Sequence, residues 1–290
     1  MGEFSLQYYL TIYFDVLGQR EGLRNIKRTP ASDEKEEKSL ALVRDSATKV
    51  SMLREAFSKV FREAESHVQK MAQIPPTFRV EFIESTKSSY CLHGLSDAFV
   101  ISVPLIPVNE NCIAIKGAYS ALAATCGIGL LALYIGVPTR AGLVVGAAVQ
   151  LEEREIYGPA VERAMELANQ SADSRLLVGD ELLSYLDWVG SRQYSTLFGE
   201  TAEKISKLCR EMVTRDIDGR FMLDFLGQSA KEVLEISIID KDVVDGARKF
   251  VESQDRIESQ YRKYTDKGEE RLISGYSRLL RYFESRKGVW

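Results

Sequence analysis

Two aspartates carry the most distinctive chemistry in this sequence. Asp15 ends an apolar run, LTIYF, that is typical of a buried strand, and Gly18 follows it closely. Asp97 lies in a second pattern, YCLHGLSDAFVISVPL, which predicts a β-hairpin with this aspartate at its tip. Two strands that each present one carboxylate could hold a hard divalent cation between them. The alternative is that Asp97 is only a turn residue and that Asp15 only caps a strand.

The composition narrows the class of protein. A net charge of −4 over 290 residues disfavours a partner held through nucleic-acid phosphates. The four cysteines form no C-x-x-C pair and the chain has only two histidines, which disfavours a zinc site and a disulfide framework. The first residues, MGEFSLQYYL, lack the pattern of a secretory signal. We therefore expect a cytoplasmic protein.

The elements that would position the aspartates mix helices and strands. A helical period runs from about residue 39 to 73, and residues 77–86 alternate like a half-exposed strand. Residues 140–151 form a strand rich in small residues, in which Gly142 and Gly146 mark the close approach of another backbone or a ligand. A helix begins near Pro159. The order predicts a sandwich with a mostly antiparallel sheet and helices on one face.

An uncharged segment from 118 to 138 is close in length to a membrane span. It is rich in alanine and contains Ser120, Thr125, Gly127 and Gly129, so we favour a helix buried between the sheet and a partner over stable membrane insertion. Amphipathic helices follow at the C-terminal end. We expect a catalytic domain over 6–226 and a helical extension over 227–290 that packs on the core or on a dimer mate.

Three separated blocks resemble class III nucleotidyl cyclases. The segment PTRAGLVVGAAVQLEEREIYGPAVERAMELANQSADSRLLVGDEL resembles the signature region of that family. FDVLG at 14–18 is similar to its metal-binding strand, and LSDAFVIS at 95–102 is similar to its second metal hairpin. The blocks occur in the family's order and together are more specific than any one of them. The resemblance implies an α+β fold with a ferredoxin-like βαββαβ core.

The resemblance also implies a reaction and a set of site residues. A nucleoside triphosphate would be converted to the 3′,5′-cyclic monophosphate and pyrophosphate in a homodimer whose active sites lie at the interface. Two divalent cations, Mn²⁺ or Mg²⁺, would be held by Asp15, the Val16 carbonyl and Asp97. Phosphate would be bound by backbone N–H groups of Leu17, Gly18 and Gln19.

The helix that begins near Pro159 lies in the signature region, and we call it the signature helix. It departs from the family pattern at two positions. Alignment on the Tyr-Gly pair puts Glu162 and Glu166 where the family has an asparagine and an arginine. Carboxylates cannot donate hydrogen bonds to a phosphoryl oxygen, so another cation must take this role or activity is lost. The candidates are Arg163, which we place in the catalytic set, Arg154 and Arg175. A catalytically silent nucleotide sensor is the alternative.

The base-reading positions also differ from those of adenylate cyclases, where a lysine and an aspartate occupy them. His93 and Glu155 stand there, and a glutamate could accept a hydrogen bond from cytosine N4 or uracil N3. The helix pattern and the DIDGRF–LDFL block at 216–226 resemble the stand-alone pyrimidine cyclases of the Pycsar antiphage system. That resemblance implies cyclic UMP or cyclic CMP as product and a downstream effector that responds to it. An adenylate cyclase is the alternative.

Overall fold

The computed structural model describes residues 6–17, 34–71, 75–78, 80, 84, 88–105, 114–151, 155–171, 173–192, 197–237, 239–262 and 275–290. The strands are β1 (Leu6–Val16), β2 (Cys91–Leu95), β3 (Ala98–Pro104), β4 (Thr139–Gln150), β5 (Ile156–Tyr157), β6 (Leu176–Val178), β7 (Val213–Arg215) and β8 (Phe221–Leu223). The helices are α1 (Glu34–Met71), α2 (Ile115–Tyr134), α3 (Pro159–Asn169), α4 (Asp180–Ser191), α5 (Leu197–Glu211), α6 (Gln228–Leu234), α7 (Lys241–Arg262) and α8 (Gly275–Ser285).

The first six described strands and α-helices along the chain, β1, α1, β2, β3, α2 and β4, form the expected core. They follow the order βαββαβ, and their strands lie in the order β2-β3-β1-β4, each antiparallel to its neighbour. This is the ferredoxin-like arrangement. Beyond β4 the sheet continues with β6, which is parallel to β4, and then with β8 and β7. The predicted α+β class and mostly antiparallel sheet are confirmed.

The central strand β1 is buried on both faces. Leu10, Ile12 and Phe14 point into the large core beneath α1 and α2. Tyr9 and Tyr13 point to the opposite face, where α3 packs. The prediction of helices on one face is therefore wrong, and the glycines of β4 explain why. A Cβ on Gly142 would lie 2.1 Å from the Ala164 carbonyl oxygen, so the bare strand surface is what admits this helix.

Helix α2 is the centre of the core. Nearly all of its side chains are buried, among them the whole run from Ile115 to Leu130. It contacts α1, α5, α6 and α7 as well as the sheet. The helix is long and apolar enough to cross a membrane, but 89% of its most apolar window is covered by the rest of the protein. Such burial is typical of the central helix of a globular core.

The C-terminal helices share this core. Buried residues of α6, α7 and α8 belong to the same apolar cluster as the strands. Asp224, just after β8, accepts hydrogen bonds from the Tyr282 hydroxyl (2.7 Å) and from the Arg286 guanidinium (2.8 Å to Oδ2). These contacts tie the last helix to the sheet. The domain boundary at 226 stays a prediction.

The strand predicted over 77–86 is wrong where the structure describes it. Residues Pro76–Phe78 form a short 3₁₀ helix with no buried residue. The alternating residues Phe78 and Val80 do not pack in the core, since the side chains of both are exposed. Most of the remaining residues of that segment lie outside the described part of the chain.

Candidate active site

Neighbouring strands bring the two aspartates to one end of the sheet. Asp15 pairs with Ala98 across the β1–β3 ladder, and Asp97 immediately precedes that residue. The backbone N–H of Val16 donates to the Asp97 carbonyl at 3.2 Å, which joins the two segments. Asp15 is 3% exposed and Asp97 is 9% exposed. Carboxylates are rarely this buried without a partner, so each requires a reason for its position.

A tight hairpin turn presents Asp97. The paired residues Leu95 and Ala98 leave only Ser96 and Asp97 in the turn. Ser96 has a φ of 61°, whereas Asp97 is not in the left-handed region. A positive φ at the first central residue alone is typical of a type II′ turn, which suits the twist of antiparallel strands. The predicted hairpin is confirmed, with a serine in the strained position.

Arg140 is the functional candidate that the sequence reasoning missed. It lies opposite Asp15 in the β1–β4 ladder, and its Nε and Nη2 atoms donate to Asp15 Oδ2 at 2.9 and 2.6 Å. The same guanidinium donates to the Ser171 carbonyl and to the side chain of Asn169 at the end of α3. Arg140 thus fixes the orientation of the carboxylate and links it to this helix. Its position as the first charge after the uncharged segment was a signal for it.

The donor set is compatible with divalent cations. Asp15 Oδ1 is buried and accepts no hydrogen bond from any described residue, which leaves one carboxylate oxygen able to bind a cation. Among described residues, no group of three or more His, Cys, Asp and Glu side chains converges. Mg²⁺ sites in nucleotide enzymes commonly use one or two carboxylates and complete their coordination with water and substrate phosphates. The residues therefore fit cations that arrive with a triphosphate.

The predicted phosphate cradle is only partly described. Gly18 and Gln19 lie outside the described residues. The Leu17 N–H donates to the Pro138 carbonyl at 2.8 Å, because the chain continues alongside the segment before β4. This N–H is therefore engaged with a carbonyl, contrary to our prediction that it binds phosphate.

The two predicted base-reading residues line one pocket. A cavity of about 170 Å³ beside the sheet is bordered by Cys91, His93, Val100, Ser102, Glu155, Ile156 and Val161. His93 comes from β2, and Glu155 directly precedes β5. Ser102, on the neighbouring strand, adds a hydroxyl that the sequence reasoning did not single out. The pocket combines an imidazole, a carboxylate and a hydroxyl with apolar walls, which can distinguish polar edges of a flat ligand.

The side chains of the signature helix α3 divide between the sheet and the surface. Ala160, Ala164 and Ala168 are buried against the sheet, whereas Glu162, Arg163 and Glu166 are exposed. Arg163 Nη1 lies 3.3 Å from Glu181 Oε1, and both side chains are about half exposed. An ion pair of this kind contributes little stability, so Arg163 can reorient toward another anion.

Arg175 cannot serve as the missing cation. Its guanidinium is buried and contacts three carboxylates, from Asp173 (2.7 Å), Asp216 (2.8 Å) and Asp218 (2.6 Å). Burial alone would raise the pKa of Asp218, but hydrogen bonds from Arg175 and from the Arg220 backbone outweigh it and lower that pKa. The DIDGRF block thus closes a structural ion cluster. Arg154 lies outside the described residues.

Comparisons with known proteins find only distant structural likenesses. No family model and no curated protein matches the chain. The adenylyl cyclase CyaB from P. aeruginosa is 12% identical, with a TM-score of 0.41, over 65% of this chain and 84% of its own. The dimeric guanylyl cyclase domain of the RhoGC fusion protein from the aquatic fungus Blastocladiella emersonii is 11% identical, with a TM-score of 0.37, over 65% of this chain and 88% of its own.

The guanylyl cyclase Cya2 is 12% identical, with a TM-score of 0.34, over 67% of this chain and 83% of its own. All three TM-scores are below 0.5. We therefore rest no conclusion about activity on these likenesses.

Proposed function

We propose that this protein is a metal-dependent nucleotidyl cyclase that works as a homodimer. One observation carries the proposal: Asp15, a proposed metal ligand, and the proposed base pocket lie on the same face of the sheet. Along β1, Asp15 alternates onto the face of Tyr13, which packs against α3. His93 pairs with Val100, which belongs to that same cluster, so the base pocket opens on this face too. Two such faces, apposed head to tail, would complete two sites.

The reaction joins the ribose O3′ to the α-phosphorus and breaks the bond from that phosphorus to the departing pyrophosphate, while the hydroxyl proton passes to solvent. Bound divalent cations would lower the pKa of the hydroxyl and neutralise charge on the triphosphate. Asp15 and Asp97 would hold these cations, with the Val16 carbonyl as a further ligand. Arg140 would keep Asp15 in position by occupying its other carboxylate oxygen.

Arg163 would stabilise negative charge on the transferring phosphoryl group of the partner's site. It is exposed, it lies on the helix that the dimer arrangement turns toward the partner's aspartates, and its present ion pair is weak. Of the three cations considered, Arg175 is committed to its own carboxylates. Glu162 and Glu166 remain as features that favour the alternative, a silent sensor that binds nucleotide without turning it over.

A pyrimidine triphosphate is the substrate that we favour, UTP before CTP. The support is the pairing of His93 with Glu155 in one pocket, together with the sequence blocks. The carboxylate can accept from N3–H of uracil or N4–H₂ of cytosine, and the imidazole can donate to O2 or O4. We propose the antiphage role, with a cyclic pyrimidine nucleotide as second messenger, on the sequence blocks alone.

Complementation between inactive variants tests the shared site. Asp97→Ala and Arg163→Ala are each expected to abolish product formation. When the two are unfolded and refolded together, half of the dimers should be mixed and each should regain one intact site, which gives about a quarter of the wild-type rate. A mixture of Asp15→Ala with Asp97→Ala is the matched control and should stay inactive. Equal inactivity of both mixtures, with melting profiles like the wild type, would contradict the dimeric site.

To identify the substrate, the protein is incubated with all four ribonucleoside triphosphates and Mn²⁺, and the products are identified by mass spectrometry. Cyclic UMP or cyclic CMP supports the pyrimidine assignment. Cyclic AMP retains the mechanism and refutes that assignment. Binding of a triphosphate without release of pyrophosphate supports the silent sensor.

A further inference from the structure

A second pocket lies on the other face of the hairpin. It has a volume of about 400 Å³ and is bordered by Ser51, Arg54, Glu55, Ser58, Tyr90 and Leu92. Leu92 alternates with His93 along β2, so this pocket and the His93 pocket open on opposite faces of the sheet. Helix α1 forms one wall and the start of β2 forms the other. The pocket is therefore separate from the candidate active site.

Arg54 is the unusual residue of this pocket. Its Nη2 donates to the Ala98 carbonyl at 3.3 Å, and its guanidinium carbon lies 5.5 Å from the centre of the Phe99 ring. Its Nε is buried and has no hydrogen-bond partner among described residues, and within that part of the chain no carboxylate forms an ion pair with it. A partly buried cation with so few partners is costly, and an anion bound beside it would offset that cost.

The hairpin is shaped to receive this guanidinium. A Cβ on Gly94 would lie 2.6 Å from Arg54 Nη2 and 2.7 Å from Nη1. The absence of a side chain at this position lets the guanidinium lie flat against the strand. Burial there also lowers the pKa of Arg54, as expected for a cation removed from water. The arginine side chain is thus positioned by the strand.

The remaining walls select a particular kind of anion. Glu55 is exposed at the pocket and accepts a hydrogen bond from Ser51 (3.1 Å), so it can accept another from a ligand. Tyr90 donates to Ser58 Oγ at 2.7 Å and presents its ring to the pocket. A polyphosphate or a simple dianion would be repelled by Glu55. A ligand with one negative group and a neighbouring donor satisfies both charged residues.

We propose that this pocket binds a small organic acid that carries a hydroxyl or ammonium group next to its carboxylate. The carboxylate accepts hydrogen bonds from Arg54, and the donor group faces Glu55. The carbon skeleton packs on Leu92 and the Tyr90 ring. The site is independent of the nucleotide reaction, so its test does not require enzyme activity.

Saturation-transfer NMR with four probes tests the proposal at constant ionic strength. D-Glycerate and L-serine carry both a carboxylate and a donor, acetate lacks the donor, and glycerol lacks the charge. We expect saturable binding of at least one of the first two probes below about 10 mM, and at least tenfold weaker binding of acetate and glycerol. No saturable binding of either D-glycerate or L-serine in this range overturns the proposal.

Variants locate the binding in the pocket. Arg54→Gln should weaken binding of D-glycerate or L-serine, whichever the wild type binds, at least tenfold. Arg44 is an exposed arginine earlier on α1, and Arg44→Gln should leave binding unchanged. If Arg54→Gln does not fold, Gly94→Ala gives a second test, because the added methyl must displace only the end of a flexible side chain. It should weaken binding while the melting temperature stays near that of the wild type. Binding that is unaffected by both variants would place the ligand elsewhere and overturn the proposal.

Discussion

A methyl group added at Gly142 should separate the signature helix from the sheet. The new Cβ would lie 2.1 Å from the Ala164 carbonyl oxygen and 2.7 Å from the Ala168 nitrogen. Both are backbone atoms, so no rotamer change can relieve the contact. The helix must retreat until the closest separation reaches at least 3.0 Å, a displacement of about 0.9 Å at that point.

The size of the effect follows from two opposing contributions. Over-packing costs about 1–3 kcal/mol where side chains can adjust, and a contact with backbone belongs at the upper end. Alanine recovers about 0.5–1 kcal/mol because glycine loses more conformational freedom in a strand. We expect Gly142→Ala to lower the free energy of unfolding by at least about 2 kcal/mol. If the proposed reaction holds, a shift of this size in α3 should also cost on the order of 10²-fold in rate.

Urea denaturation, followed by circular dichroism, measures the change in stability. Gly146→Ala is the matched control on the same strand, where the added Cβ would lie 3.1 Å from the Ala160 methyl. Its strain and its gain in backbone entropy should nearly cancel, so its midpoint should stay close to that of the wild type. If Gly142→Ala proves as stable as Gly146→Ala, our account of how α3 packs on β4 is refuted.

Three further predictions concern the rest of the fold. Asp224→Asn should lower the free energy of unfolding by about 2–3 kcal/mol, measured in urea, because Arg286 loses its carboxylate; Arg286→Lys should lose less. Iodoacetamide at pH 8 should modify Cys91 well before Cys126 and Cys209, because these two thiols are buried and burial raises their pKa values. Mass spectrometry identifies the modified residues. Burial, then the charge of Glu258, raises the pKa of Tyr276 to about 12 from 10.0, so its stabilising contribution is full below pH 10 and is lost as the pH rises toward 12. Between pH 9 and pH 11 the free energy of unfolding should fall by about 1 kcal/mol more in the wild type than in Tyr276→Phe, and equal decreases would contradict this prediction.

Local patterns predicted the elements that carry the candidate site. The run that ends at Asp15 and the hairpin around Asp97 were readable because alternation and turn residues act over a few positions. The small residues of β4 predicted a close backbone approach, and α3 supplies it at Gly142. The enclosure of α2 was predictable from the absence of charge between residues 118 and 138.

Contacts between distant residues were not predictable from these patterns. The pair of Arg140 with Asp15 joins residues 125 positions apart, and no spacing rule encodes it. The binding of Arg175 by the DIDGRF block likewise depends on β8 lying beside β6. The side of the sheet taken by α3 was mispredicted because β1 is apolar on both faces, so its sequence does not distinguish one face from the other.

The enclosure of α2 has a consequence for biosynthesis. This helix emerges from the ribosome as an apolar segment with a mean hydropathy of 1.4, in which Lys116 is the one charged residue. Helix α7, which covers part of it, is translated much later. For that interval the nascent chain displays a segment that resembles a membrane span to any factor that recognises apolar helices. Helix α1 precedes α2 in the chain and packs against it, so α1 is already translated when α2 emerges and can shield it first. Early pairing of α1 with α2 would therefore decide whether the chain folds in solution or is captured as an apolar segment.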